Sequence, residues 1–188
     1  MTENISGKTI AFLATDGVEQ AELTQPWQAV KDAGGTPVLV SPKDDKITAM
    51  QSDWDHGDSF PVDVPLSSAK AEDYDGLVLP GGTVNADTMR INTEAQAFAR
   101  AFFEAHKPVA AICHAPWLLI EAGVVEGREM TSYTSLRTDL VNAGARWQDA
   151  EVIVDNGLTT SRNPGDLDAF CAKMIEEIAE GKHENQTA

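Results

Sequence analysis

Short uninterrupted apolar runs alternate along the chain with longer segments whose apolar positions recur every three or four residues. "TIAFLA" (9–14), "TPVLVS" (36–41), "DGLVLPGG" (75–82) and "PVAAIC" (108–113) lack interleaved polar positions. They read as strands buried on both faces, since a half-buried strand alternates with polar residues. "EQAELTQPWQAVKDAGG" lies between the first two and reads as a helix closed near Gly34 and Gly35. Between the last two, "NTEAQAFARAFFEAHK" sets Ala95, Phe98, Phe102 and Phe103 on one helical face. "AEVIVD" and "GLTTSR" predict a hairpin around Asp155, Asn156 and Gly157, and "GDLDAFCAKMIEEIAE" a closing helix. The stretch 45–66 breaks the rhythm; it alternates, carries Gly57 and reads as a hairpin or edge excursion. Together these elements predict an α/β fold, a mostly parallel sheet between two helical layers.

Length refines this to a single domain, since 188 residues can bury one sizeable core. The core is expected over about residues 8–180, and the polar end 181–188, "GKHENQTA", is expected to fray. The formal charge of −16, with no basic cluster to offset it, argues against nucleic-acid binding. No apolar run approaches the roughly 20 residues that span a bilayer, so no membrane partner is expected. "MTENISGKTIAFLA" has polar residues ahead of a short strand-like run rather than the pattern of a secretory signal. The expectation is a cytoplasmic protein whose two cysteines remain thiols.

Chemistry in such a sheet gathers at the carboxyl ends of strands. "ATDGVEQAE", "LPGGTVNAD" and "ICHAP" occupy three of those ends. Cys113 sits where a strand turns into a helix, a placement expected to lower its pKa. The N–H groups of that turn and of the Gly81–Gly82 loop can face an oxyanion. A cysteine ending an apolar strand is as readily a packing residue, and the residues alone leave both readings open. Cys171, spaced with Phe170, Met174 and Ile178, reads as core. His56, among Asp53, Asp55 and Asp58, reads as a solvated loop, and His106 as a surface residue. No metal site and no cofactor are expected. Any base is expected to be His114 itself, because the one later histidine, His183, lies in the polar tail.

The ordered segments "GVEQAEL", "DGLVLPGG", "KPVAAICHAPWLLIEAGVVEGR", "TSYTSLRTDLVNAGARW", "EVIVDNGLTTSR" and "PGDLDAF" resemble the PfpI family. That family comprises intracellular cysteine peptidases, protein deglycases and stress proteins of the class I glutamine amidotransferase-like superfamily. The resemblance runs from about Thr9 to Ile178. It implies a flavodoxin-like three-layer sandwich, with dimers sometimes assembled into hexamers. It also implies Cys113 as nucleophile, His114 beside it, and Glu19 as the acid hydrogen-bonded to the cysteine. Gly82 and His114 would supply oxyanion N–H groups, and Asp87 would complete the triad from a second subunit. The histidine–x–glutamate pair of the true amidotransferases is missing from the sequence.

Two function classes follow. In one, Cys113 attacks the carbonyl of a peptide, a glycated protein or a small dicarbonyl. In the other, Cys113 is oxidised to a sulfinate in a redox-sensing or protective protein. A small-ligand-binding sandwich with an inert site is a third.

Overall fold

A computed structural model describes residues 3–188. Its strands and helices in chain order are β1 (Thr9–Leu13), α1 (Gln20–Asp32), β2 (Thr36–Ser41), β3 (Lys46–Gln51), β4 (Asp55–Pro61), β5 (Val64–Pro65) and β6 (Gly76–Leu79). There follow α2 (Thr83–Arg90), α3 (Thr93–Glu104), β7 (Val109–Ile112), α4 (Pro116–Glu121), β8 (Glu129–Met130) and α5 (Arg137–Asn142). Last come β9 (Arg146–Trp147), β10 (Val152–Asp155), β11 (Leu158–Ser161) and α6 (Leu167–Glu180).

Seven strands form one sheet in the order β10-β11-β7-β6-β1-β2-β5, and only β10 runs antiparallel to its neighbour. The α/β sandwich with a mostly parallel sheet is therefore the fold.

Successive strand residues point to opposite faces, and both faces are apolar. Ile10, Phe12, Val78 and Ala110 pack with Leu23 and Val30 of α1 and Phe170 and Met174 of α6. Ala11, Leu13, Leu77 and Ala111 pack with Met89 of α2, Phe98 and Phe102 of α3, Leu119 of α4 and Leu140 of α5. This two-sided burial is what made the central strands read as unbroken apolar runs.

The irregular stretch 45–66 is the β3–β4 hairpin followed by β5, and its tip lies at Ser52–Asp53, both at positive φ, rather than at Gly57. The turn between β10 and β11 does use Asn156 and Gly157, at φ 48 and 82. One sheet edge is β5, only two residues long and ending in Pro65. The polar end, for which fraying was expected, instead docks on the fold. The His183 N–H donates to the His106 carbonyl at 2.9 Å, and Gln186 is fully buried. No helix is long and apolar enough to cross a membrane among the described residues.

Candidate active site

Strand β1 pairs with β2 on one side and β6 on the other, so the connections leave it in opposite directions and open a crevice at its carboxyl end. Three segments converge there: the loop after β1 leading into α1, the Gly81–Gly82 loop after β6, and the turn after β7. Cys113 stands on that last turn at φ 63, in the left-handed region that an L-residue occupies only under local constraint. Hydrogen bonds hold both sides of the turn. Its N–H donates to the Ser161 carbonyl at 3.1 Å, and its carbonyl accepts from Tyr133 at 2.9 Å. The strained strand-to-helix turn presents the sulfur in the manner of a nucleophile elbow.

Glycine is required opposite the sulfur. A Cβ on Gly81 would come 2.6 Å from the Cys113 Cβ and would strike Glu22 Oε2. One on Gly82, at φ 88, would come 2.5 Å from the Glu19 nitrogen. With these side chains missing, the N–H groups of Gly82 and His114 both reach the Cys113 sulfur. These are the two N–H groups expected at the oxyanion position.

The acid on the sulfur is Glu22, not Glu19. Glu22 lies within hydrogen-bonding reach of the Cys113 thiol, and its Oε2 accepts the Gly81 N–H at 2.9 Å. Glu19 precedes the first turn of α1, and its carboxylate accepts from the N–H groups of Ser52 and Asp53 at the hairpin tip. The buried face of α1 is Glu22, Leu23, Pro26 and Val30, a spacing visible in the sequence that marks Glu22 as the inward-facing acid. Burial, reinforced by the charge of Glu19, pushes the Glu22 carboxyl up to about 8. Glu22 thus keeps its proton at neutral pH, and its Oε1 has no nitrogen or oxygen partner among the described residues.

The expected fall in the Cys113 pKa is reversed. Burial first, and the facing Glu22 second, push the thiol well above its ordinary range, against the pull of the Gly82 and His114 N–H groups. The helix that was to lower it, α4, has six residues and begins on Pro116, which has no N–H to offer. Cys171 is half-buried on α6 rather than enclosed in the core, and burial pushes its thiol up to about 12.

His114 lies directly against the sulfur, although the two residues are neighbours on one sharp turn. Its Nδ1 is 3.1 Å from Cys113 Sγ, and its Nε2 is 3.3 Å from Ser135 Oγ. Its ring stacks on Tyr133 with centroids 4.5 Å apart, and Trp117 stands 5.3 Å away on another side. Burial lowers the His114 pKa, with the charge of Asp53 opposing it, so the ring is neutral at pH 7. A neutral ring that accepts the thiol proton at Nδ1 carries its own hydrogen on Nε2, directed at Ser135. Two groups of the same chain, Ser135 and Tyr133, thus bear on the orientation of the ring. Ser135 and Tyr133 are the residues that sequence reasoning missed, although both lie in the family-like segment "TSYTSLRTDLVNAGARW".

Asp53, assigned from sequence to a solvated loop, ties the hairpin tip to α2. It accepts from Thr83 N at 2.9 Å and Oγ1 at 2.8 Å. Asp87 is exposed on α2, and no hydrogen bond joins it to His114 among the described residues. Val84, Asp87, Thr88 and Ile91 share one exposed, helically spaced face there, and the two apolar residues are 53% and 78% exposed.

A parallel α/β sandwich carrying a strained cysteine at a strand-to-helix turn, with a histidine and a protonated acid on its sulfur, defines the class of cysteine-centred sandwich proteins. Within that class the chain belongs to the DJ-1/PfpI family, whose model matches residues 8–177. The deglycase PfpI of Pyrococcus furiosus is 40% identical over 167 residues, 89% of this chain and 97% of that protein. YraA of Bacillus subtilis, named provisionally as a cysteine protease, is 41% identical over 163 residues, 87% of this chain and 94% of that protein. Among solved structures, DJ-1beta of Drosophila melanogaster superposes with a TM-score of 0.83 at 29% identity, covering 93% of this chain and 91% of that one.

Proposed function

We propose that the chain is a cysteine hydrolase in which Cys113 attacks a carbonyl carbon. The observation that carries this reading is the 3.1 Å approach of His114 Nδ1 to Cys113 Sγ, with two backbone N–H groups on the same sulfur. Because burial disfavours a preformed thiolate, the proton leaves as the bond forms. The sulfur joins the carbonyl carbon, the C=O electron pair moves to oxygen, and the thiol proton passes to Nδ1. The Gly82 and His114 N–H groups then face the oxyanion. On an aldehyde the proton returns to that oxygen and gives a hemithioacetal; on an amide it goes to the departing amine, and water cleaves the thioester.

Relatives named deglycase favour a glycated side chain or its dicarbonyl precursor over a peptide bond. The test is turnover of methylglyoxal, a glycated lysine peptide and an unmodified peptide. Turnover of at least one, abolished in Cys113→Ser, is expected. Equal turnover in Cys113→Ser, or none in the parent chain, overturns the reading.

Oxidation is a second reading, favoured by the protonated Glu22 against the sulfur. Two equivalents of peroxide would carry the thiol through sulfenic acid to sulfinate, each giving one oxygen and leaving as water. Glu22 would donate its proton to a sulfinate oxygen. Intact mass after peroxide, with Glu22→Gln compared with Glu22→Ala, separates this from turnover.

The site is further proposed to be shared in a homodimer, the unit from which a hexamer would be built, in which Asp87 approaches the partner's histidine. The exposed apolar ends of the α2 face support that arrangement. A reducing cytoplasm, where both free cysteines stay thiols, fits the same reading.

A further inference from the structure

We propose that Glu177, Glu180 and His183 form a binding site for one divalent transition-metal ion of the zinc class. One carboxylate oxygen from each glutamate and one imidazole nitrogen lie within 4.8 Å of one another. His183 Nε2 stands 3.4 Å from Glu177 Oε2. That is long for a hydrogen bond, which closes at about 2.7–3.2 Å. It matches the edge of a tetrahedron whose metal–ligand bonds are about 2.1 Å, an edge of about 3.4 Å.

Groups outside the cluster hold the imidazole in place. Beyond Gly181 the chain turns back, and the His183 N–H donates to the His106 carbonyl at 2.9 Å. The ring lies against Gly157, where a Cβ would come 2.6 Å from the ring Cδ2. Further along the tail, the Gln186 carbonyl meets His106 Nδ1 at 2.7 Å. The ligand is therefore ordered before any ion arrives.

Glu177 supplies an independent sign. Its side chain is 10% exposed, and among the described residues no N–H donates to its carboxylate apart from the long approach of His183. The neighbouring cations are engaged elsewhere: Lys173 pairs with Glu176 at 2.7 Å, and the Lys8 ammonium donates to the Ile178 carbonyl. A buried carboxylate without a cation is costly. The last turn of α6 adds the negative end of its helix dipole.

Two carboxylate oxygens and one imidazole nitrogen, with a position left for water, suit zinc better than calcium or magnesium, which prefer all-oxygen sets. The cluster sits where β7 and β11 begin, at the opposite end of the sheet from Cys113, so its role is to pin the tail rather than to assist chemistry. Sequence reading expected no metal, weighing only His56 among its aspartates, and separately placed His183 in a frayed end.

The test is calorimetric titration of the untagged full chain carrying Cys113→Ser and Cys171→Ser with zinc chloride, beside a thermal melt. One ion per chain and a raised Tm are expected. Glu180→Gln, an exposed change that leaves folding intact, and His183→Asn should each weaken binding by roughly tenfold or more. Unchanged affinity in Glu180→Gln overturns the proposal, as does loss of zinc binding in the thiol-free chain. Calcium binding as tight as zinc also overturns it.

Discussion

At the scale of single residues, the proton on Glu22 has the widest consequence. Its folded pKa of about 8 lies above the unfolded value of 4.5, so the folded state favours the neutral acid. The stability this gives is complete below about pH 4.5 and declines as pH rises through 8. Glu22→Gln, which is neutral at every pH, should flatten the loss of Tm between pH 5 and pH 9, read by thermal melts across that range. The same range in the parent chain should show the steeper fall. Ser135 Oγ lies 3.3 Å from His114 Nε2 and should act through the histidine. Ser135→Ala should reduce kcat about three- to tenfold with KM little changed, the worth of one neutral hydrogen bond, and Ser135→Thr should restore most of it. Cys113 and His114 were legible because both sit in one contiguous motif at a strand end. The acid was misplaced by one helical turn, since "GVEQAEL" offers two glutamates, and the one that shares the spacing of Leu23, Pro26 and Val30 is Glu22, whereas Glu19 precedes the helix. Ser135 carries no local signal; 21 residues separate it from His114 in the chain.

At the scale of elements, the site depends on how closely the loop after β6 approaches the turn after β7. Gly81→Ala should therefore abolish turnover in whatever protein folds, because the added methyl meets Glu22 Oε2, the Cys113 Cβ at 2.6 Å and the Ile112 carbonyl at 2.8 Å. Circular dichroism beside an activity assay checks this. Phe102→Ala, fully buried on α3, should do the reverse. It should cost about 3–5 kcal/mol of stability, seen as a lowered denaturant midpoint, with turnover preserved in the fraction that remains folded. The central strands were readable because both their faces are apolar. The hairpin tip was not, because two left-handed non-glycine residues, Ser52 and Asp53, make it where Gly57 was the evident turn former. Gly57 instead lets β4 pass close to the Gln20 side chain.

At the scale of the whole molecule, the proposed dimer makes one firm demand. If Asp87 completes the site from a second copy, Asp87→Asn should lower turnover with Cys113 still reactive to a small thiol reagent. Dilution below the dimer dissociation constant should reduce specific activity in step with dimer content, measured by sedimentation. Full activity in a stable monomer would show that Ser135 and Tyr133 suffice to orient His114. Composition indicated a single domain and an acidic surface. It could not indicate that the last residues dock, because the contact is made by backbone groups of His183 and Gln186 that any sequence possesses.

The two-residue edge strand β5 bears on how copies of this chain can meet. Pro65 has no N–H, and two residues are too few to template a further strand. At the opposite edge the Asp155 carbonyl of β10 already accepts from Arg128. The β5 edge is therefore blunted, and the β10 edge loses one acceptor at its end. Strand addition at β5 is blocked, and heating the protein to partial opening should yield amorphous precipitate or soluble species before it yields fibrils.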